Sequence, residues 1–252
     1  MILTPKTFLI VCPLLFVAGF VDAIAGGGGL ISLPAYLFAG LPTHLAIGTN
    51  KLSSACGTTL TTVRFIRRGL VRWKLALPGV AAAMLGAFFG SRLSLLTDEW
   101  LIRSMLLVVL PAAAFLVLNR RLFPDRDGDG ELPDGRRQTI CALSALLIGF
   151  YDGFYGPGTG TFLIIAFTVF AKLSAGSANA QAKVINLTTN LTSLFVFLRG
   201  GTVVVALGLA AAVCNMLGNY LGSGLALKKG ARITRPVILA VLVLLLIKSL
   251  TD

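Results

Sequence analysis

Gly19–Gly29 reads GFVDAIAGGGG, and 130 residues later Gly149–Thr159 reads GFYDGFYGPGT. Each copy sets an aspartate, Asp22 or Asp152, a few residues ahead of a glycine cluster inside a long apolar run. Residues 5–25 alone imitate a signal peptide, with one basic residue, an apolar stretch and an Ala-x-Ala ending at Ala25. A cleaved leader has no reason to recur in mid-chain, so the stretch is expected to stay in the mature protein as part of a repeated unit.

Downstream the correspondence continues with a shift of 132, after an insertion of two residues: Lys51 falls on Lys183, Gly86 on Gly218, Gly90 on Gly222, Ser91 on Ser223 and Arg103 on Arg235. A unit of roughly a hundred residues has been duplicated. The expected organisation is a first transmembrane repeat at 1–118, a polar cytoplasmic linker at 119–136 and a second repeat at 137–252. The linker contains DRDGDG, which imitates a calcium loop, but the twelfth position counted from Asp125 is Arg136, where a bidentate glutamate is required. No metal or cofactor is expected. The four cysteines, Cys12, Cys56, Cys141 and Cys214, lie in apolar segments without metal-binding or redox spacing.

The 252 residues are 56% hydrophobic and 13% charged, and the mean hydropathy is +0.88. A soluble domain carries about twice that charge, so an ordinary cytosolic enzyme is excluded and lipid is the main solvent. The apolar runs are long and do not alternate, which selects helices over a barrel. The net charge of +12 then reads as cytoplasmic loop charge rather than a nucleic-acid footprint. The fold class is an all-α polytopic membrane protein of two repeats with about four hydrophobic segments each: 8–40, 44–66, 74–97 and 100–118, then 139–171, 178–198, 203–227 and 236–250. The first segment of each half is too long for one span and is broken by glycines, so it is re-entrant or crosses twice as short helices. A single crossing by each broken segment would make the repeats parallel, with 13 basic residues against seven, whereas odd parity per half makes them inverted. The loops around 64–74, 120–137, 172 and 228–235 then share one face with 15 basic residues against five opposite, as the positive-inside rule favours.

Four ionisable residues remain within the apolar segments: Asp22, Lys51, Asp152 and Lys183. An intramembrane charge costs at least about 2.5 kcal/mol, so all four must face the protein interior. One reading is purely structural, with Asp22 paired to Lys51 and Asp152 to Lys183 within each half. The functional reading is that the lysines line a substrate path, since Thr49, Asn50, Ser53, Gln181, Asn186 and Asn190 surround them with hydrogen-bonding groups. A helix restarting after Gly26–Gly29 or after Gly156–Gly160 adds free N–H groups and the positive end of its dipole. Gly27, Gly28, Gly158 and Thr159 are the expected contributors. Such a positive midplane cavity between inverted repeats suits an anion.

The arrangement GFVDAIAGGGGLISLPAYLFAGLP followed by AIGTNKLSS, echoed by GFYDGFYGPGTG and NAQAKVINLTTN, resembles the TauE/SafE-type sulfite exporter family over nearly the whole chain. The second copy departs from the pattern, with Ala182 where the first has Asn50. The resemblance implies a transporter of sulfite, organosulfonates or related sulfur oxyanions in a bacterial inner membrane, with Lys51, Thr49, Asn50, Lys183, Gln181 and the two breaks at its site. Asp22 and Asp152 are expected behind that site, or as proton carriers. Export suits the charge, since a cytoplasm negative by about 100 mV favours each departing negative charge by roughly 2.3 kcal/mol. The expected partners are a small anion and membrane lipid, with coupling to a proton or sodium and assembly as a homodimer left open. Two alternatives stand beside the carrier: an anion channel using the same positive lining, and an intramembrane aspartyl protease, which lacks a Gly-x-Gly-Asp motif at Asp22.

Overall fold

A computed structural model describes residues 4–102, 104–105 and 128–229 of the chain. The anticipated spans 100–118 and 236–250, the pair Arg103/Arg235 and the linker as far as residue 127 fall almost wholly outside the described residues. What is described is helical throughout, with no strand among the described residues. The chain runs through α1 (Pro5–Ala25), α2 (Gly29–Phe38), α3 (Thr43–Arg67), α4 (Trp73–Leu96), α5 (Asp134–Phe154), α6 (Thr159–Val169), α7 (Ala175–Arg199) and α8 (Val205–Lys229).

Each overlong first segment resolves into a long helix and a short one. α1 starts at an N-cap threonine, Thr4, followed by Pro5 at the first helical position, where a missing N–H costs nothing. It ends at Gly26, whose φ of 73° is left-handed and whose N–H bonds back to Asp22 O at 2.8 Å. α5 ends before Gly156 and Gly158, both also at positive φ. The short helices that follow have 10 and 11 residues, about 15 Å at 1.5 Å per residue, or half a hydrocarbon core.

Helices α1, α4 and α8 are long and apolar enough to cross a membrane. α4 and α8 expose the faces that require it: Leu77, Leu85 and Phe89 on one, Leu209, Leu217 and Leu221 on the other. The more polar α3 and α7 lie inside them, each packed against the other and against α8 or α4, so their threonines and asparagines face protein rather than lipid.

Close packing uses glycine in matched places. α1 packs on α8, where a Cβ on Gly218 or Gly222 would collide with the backbone of Phe16 or Phe20. α5 packs on α4, where a Cβ on Gly86 or Gly90 would collide with the backbone of Leu146 or Phe150. These positions differ by 132 on the glycine side and 130 on the carbonyl side. The first helix of each half thus lies against the last described helix of the other.

The end of the linker is less free than its composition suggests. Asp129 lies 2.5 Å from Arg72 Nη1 and accepts the N–H of Ser174, while Gly130 N–H donates to Lys172 O. α5 begins at Asp134, so the expected boundary at 137 falls inside its first turn. Arg137 is 7% exposed and donates to the carbonyls of Ala171 and Gly130. Its charge is consumed by local structure rather than by solvent.

Candidate functional site

The two glycine breaks meet backbone to backbone. A Cβ on Gly26 would overlap the main chain of Gly160, and one on Gly160 would overlap Gly26. Side chains at either place would hold the breaks apart, so the composition of both clusters is a condition of this contact. Neither α2 nor α6 has a side-chain cap at its start. Leu30 and Ile31 N–H bond back to the carbonyls of Gly27 and Gly28, and Thr159 N–H to that of Gly156, so what the two starts bring is the positive end of each dipole, beside a polar cavity that Gly28, Gly29, Thr159 and Gly160 help to line.

The four buried charges surround this junction, and they pair across the halves. Lys51 Nζ lies 2.9 Å from Asp152 Oδ2, and Lys183 Nζ lies 2.8 Å from Asp22 Oδ2. All four residues are less than 9% exposed. The within-half pairing, Asp22 with Lys51 and Asp152 with Lys183, is overturned. The reason is the packing order: α3 and α7 lie against each other in the interior, so each lysine reaches the break of the opposite half. Each aspartate has its own lysine, whereas a protease dyad needs two acids sharing one proton.

Both aspartates also bond to their breaks. Asp152 Oδ1 accepts the hydroxyl of Thr159 at 2.7 Å, which ties the end of α5 to the start of α6. At α1 the ties come from the other half: Lys183 donates to the Asp22 carbonyl, Asn179 Nδ2 to the Ala23 and Ile24 carbonyls, and Thr161 Oγ1 to the Ala25 carbonyl. The Asp22 carbonyl also accepts the Gly26 N–H, and the carbonyls after it are ones a helix C-terminus leaves without partners inside the helix.

The cavity encloses about 390 Å³ of empty space, its open mouth included, and its lining contains Asp22, Asn50, Lys51, Ser54, Thr58, Asp152, Asn186, Asn190 and Asn215. Asn50 Oδ1 accepts from Ser54, and Asn186 Oδ1 accepts from Asn190, which leaves amide hydrogens on Asn50 and Asn186 to donate elsewhere. Of the anticipated site residues, Lys51, Asn50, Asn186, Gly28, Thr159, Asp22 and Asp152 come together here. Lys183, Thr49, Gln181, Gly27 and Gly158 are not in the lining. Thr49 instead accepts the N–H of Val204 at 2.9 Å, just ahead of α8. Gln181 is buried with both amide atoms unpartnered, and at about 100° per residue it faces nearly opposite to Lys183 on α7. Gly158 has a φ of 84° and serves the turn.

Sequence reasoning passed over Ser54, Thr58 and Asn215, which line the cavity beside the anticipated Asn190. The signal for most of them was available, because Ser54 and Asn186 are 132 apart, and so are Thr58 and Asn190. Asn215 has no such signal, since its repeat partner is Ala83. It donates to Leu15 O and accepts from Asn219, which in turn accepts from Thr61. Among the described residues no cluster of three or more His, Cys, Asp or Glu could hold a metal ion.

The apolar, membrane-length helices agree with the family and relatives of the chain. Residues 11–249 match the family described as Sulfite exporter TauE/SafE. A probable membrane transporter protein, ORF9, of a Sinorhizobium species is 36% identical over 94% of this chain and 90% of its own length. The probable membrane transporter protein YfcA of Escherichia coli K12 is 34% identical over 93% and 86%. A probable membrane transporter protein of Haemophilus influenzae is 34% identical over 94% and 92%. No solved structure matches. With a family match across nearly its whole length and relatives above 30% identity, the chain belongs to the TauE/SafE sulfite exporter family of membrane transporters.

Proposed function

We propose that the chain is a secondary transporter that moves a small sulfur-containing oxyanion, sulfite or an organosulfonate, out across a bacterial inner membrane by alternating access around the cavity between the breaks. The observation that carries this reading is the buried Lys51 ammonium, held in a polar pocket beside two half-helix starts that no side chain caps. An anion at that point gains a charged hydrogen bond, amide donors from Asn50 and Asn186, and the positive ends of two helix dipoles. The carboxylates of Asp22 and Asp152 favour a small anion that can approach Lys51 without touching either. Export follows the membrane potential, whereas import would need a coupled proton or sodium ion.

The site is tested by titrating sulfite into purified protein under anaerobic conditions. Lys51→Gln keeps length and hydrogen bonding while removing the charge, so affinity should fall by about 1–3 kcal/mol, roughly tenfold to a hundredfold. Wild-type affinity in folded Lys51→Gln protein would remove the lysine from the site.

The matched glycine contacts of α1 with α8 and of α5 with α4 support reading the halves as related units, and the placement of basic loops supports their inversion. Single cysteines at Arg68 and Lys229, in a cysteine-free background, should label from the cytoplasm, and one at Arg199 from outside. Labelling of positions 68 and 229 from opposite sides would instead make the repeats parallel.

A further inference from the structure

We infer that the two repeat-related lysines have divided their labour: Lys51 is the exchangeable, anion-contacting lysine, and Lys183 is a fixed clasp that closes the C-terminus of α1. The inference rests on the anion reading above for its first half and on geometry alone for its second.

The hydrogen bonds of the two ammonium groups differ. Lys183 is as buried as Lys51, but it lies outside the cavity lining and donates to both the carboxylate and the main-chain carbonyl of Asp22. An ammonium at a helix C-terminus meets the negative end of the dipole, here at a carbonyl that also accepts the Gly26 N–H. Lys51 lines the cavity, and its ion pair is with one oxygen of Asp152, whose other oxygen is already taken by Thr159. When an anion replaces Asp152 beside Lys51, Asp152 therefore keeps its anchor to the break. When one replaces Asp22 beside Lys183, the end of α1 comes undone.

The neighbours make the same distinction, and they carry it in the sequence. Asn179 and Thr161, which hold the Ala23, Ile24 and Ala25 carbonyls, correspond to Ile47 at the shift of 132 and to Ile31 at the shift of 130. Neither residue has a side chain that can hydrogen-bond, so the end of α5 lacks the second and third fasteners that the end of α1 has. On the other side, Asn50, next to Lys51, corresponds to Ala182, next to Lys183. Donors suited to an anion were kept around one lysine, and donors suited to helix carbonyls around the other.

The test uses charge-balanced pairs, so that no variant leaves a lone buried charge. Lys51→Gln with Asp152→Asn should weaken binding of sulfite and of methanesulfonate at least tenfold and leave the melting temperature near that of the parent. Lys183→Gln with Asp22→Asn should weaken both affinities clearly less than the first pair does and lower the melting temperature by several degrees more. Should the second pair not fold, Asn179→Ala and Thr161→Val remove clasp contacts without touching charge, and each should lower the melting temperature at unchanged affinity. Equal affinity losses in the two pairs would restore two equivalent binding lysines and overturn the division, as would a loss confined to the Lys183 pair. Parent protein that binds neither probe would count against the anion reading rather than the clasp. The clasp would then stand or fall on whether the Lys183 pair melts lower than the Lys51 pair.

Discussion

Gly160→Ala is expected to lower the melting temperature of the purified protein by about 6–12 °C or to prevent recovery of a monodisperse species. A Cβ there would sit 2.5 Å from Gly26 Cα and 2.6 Å from Gly26 O, more than 1 Å inside ordinary contact. The obstacle is main chain on both sides, which cannot rotate away as a side chain would. Relief requires the end of α1 and the start of α6 to separate, and with them the 3.0 Å bond from Thr161 Oγ1 to Ala25 O. Overpacking of this sort costs about 3 kcal/mol, and at 2–4 °C per kcal/mol for a chain of this size that gives the stated range. Gly26→Ala should be worse, since its φ of 73° adds about 1–2 kcal/mol of left-handed strain. Gly176→Ala supplies the contrast: nothing lies within 4 Å of its Cβ, its φ is ordinary and it is helical. It should be neutral or stabilising by up to about 1 kcal/mol. Similar melting temperatures for Gly160→Ala and the parent would mean that the breaks do not touch.

Lys183→Met alone should be the most destabilising charge change, costing about 3–5 kcal/mol because it leaves the Asp22 carboxylate buried and unpaired. Adding Asp22→Asn should recover a large part of that loss, and adding Asp152→Asn should recover little. Double-mutant cycles give the coupling directly, and it should be large for positions 22 and 183 and for 51 and 152, and smaller for 22 and 51. Strong coupling between 22 and 51 together with weak coupling between 22 and 183 would reinstate pairing within each half. The measurement is thermal unfolding in detergent at one fixed pH.

The helical class, the broken first segments and the identity of the four buried charges were legible from the 130- and 132-residue shifts and from the cost of charge in lipid. The pairing of those charges was not. Sequence separation favours Asp22 with Lys51, and only the packing of α3 against α7 sends each lysine to the other half. Thr49 and Gln181 lie outside the cavity lining for a related reason. A polar residue next to a functional lysine in sequence is about 100° or 200° away from it around a helix, so adjacency along the chain does not place it on the same face. Residues at four-residue spacing, such as Asn186 and Asn190, do share the face. Arg137 looked like linker charge because its partners are main-chain carbonyls, which leave no mark on composition.

The interlocked order of the helices also sets a schedule for biosynthesis. α1 packs on α8, and Asp22 finds its counter-charge on Lys183, 161 residues later. At 5–20 residues per second that interval is about 8–30 s, during which a membrane-inserted α1 has neither its glycine partners nor its cation. A carboxylate in hydrocarbon is far costlier alone than beside a cation, so nascent α1 depends on its surroundings during insertion until Lys183 arrives. The last described helix is thus the one that completes the environment of the first. A ribosome stalled before residue 205 would hold a chain whose opening helix is still unsatisfied, a natural mark for membrane quality control.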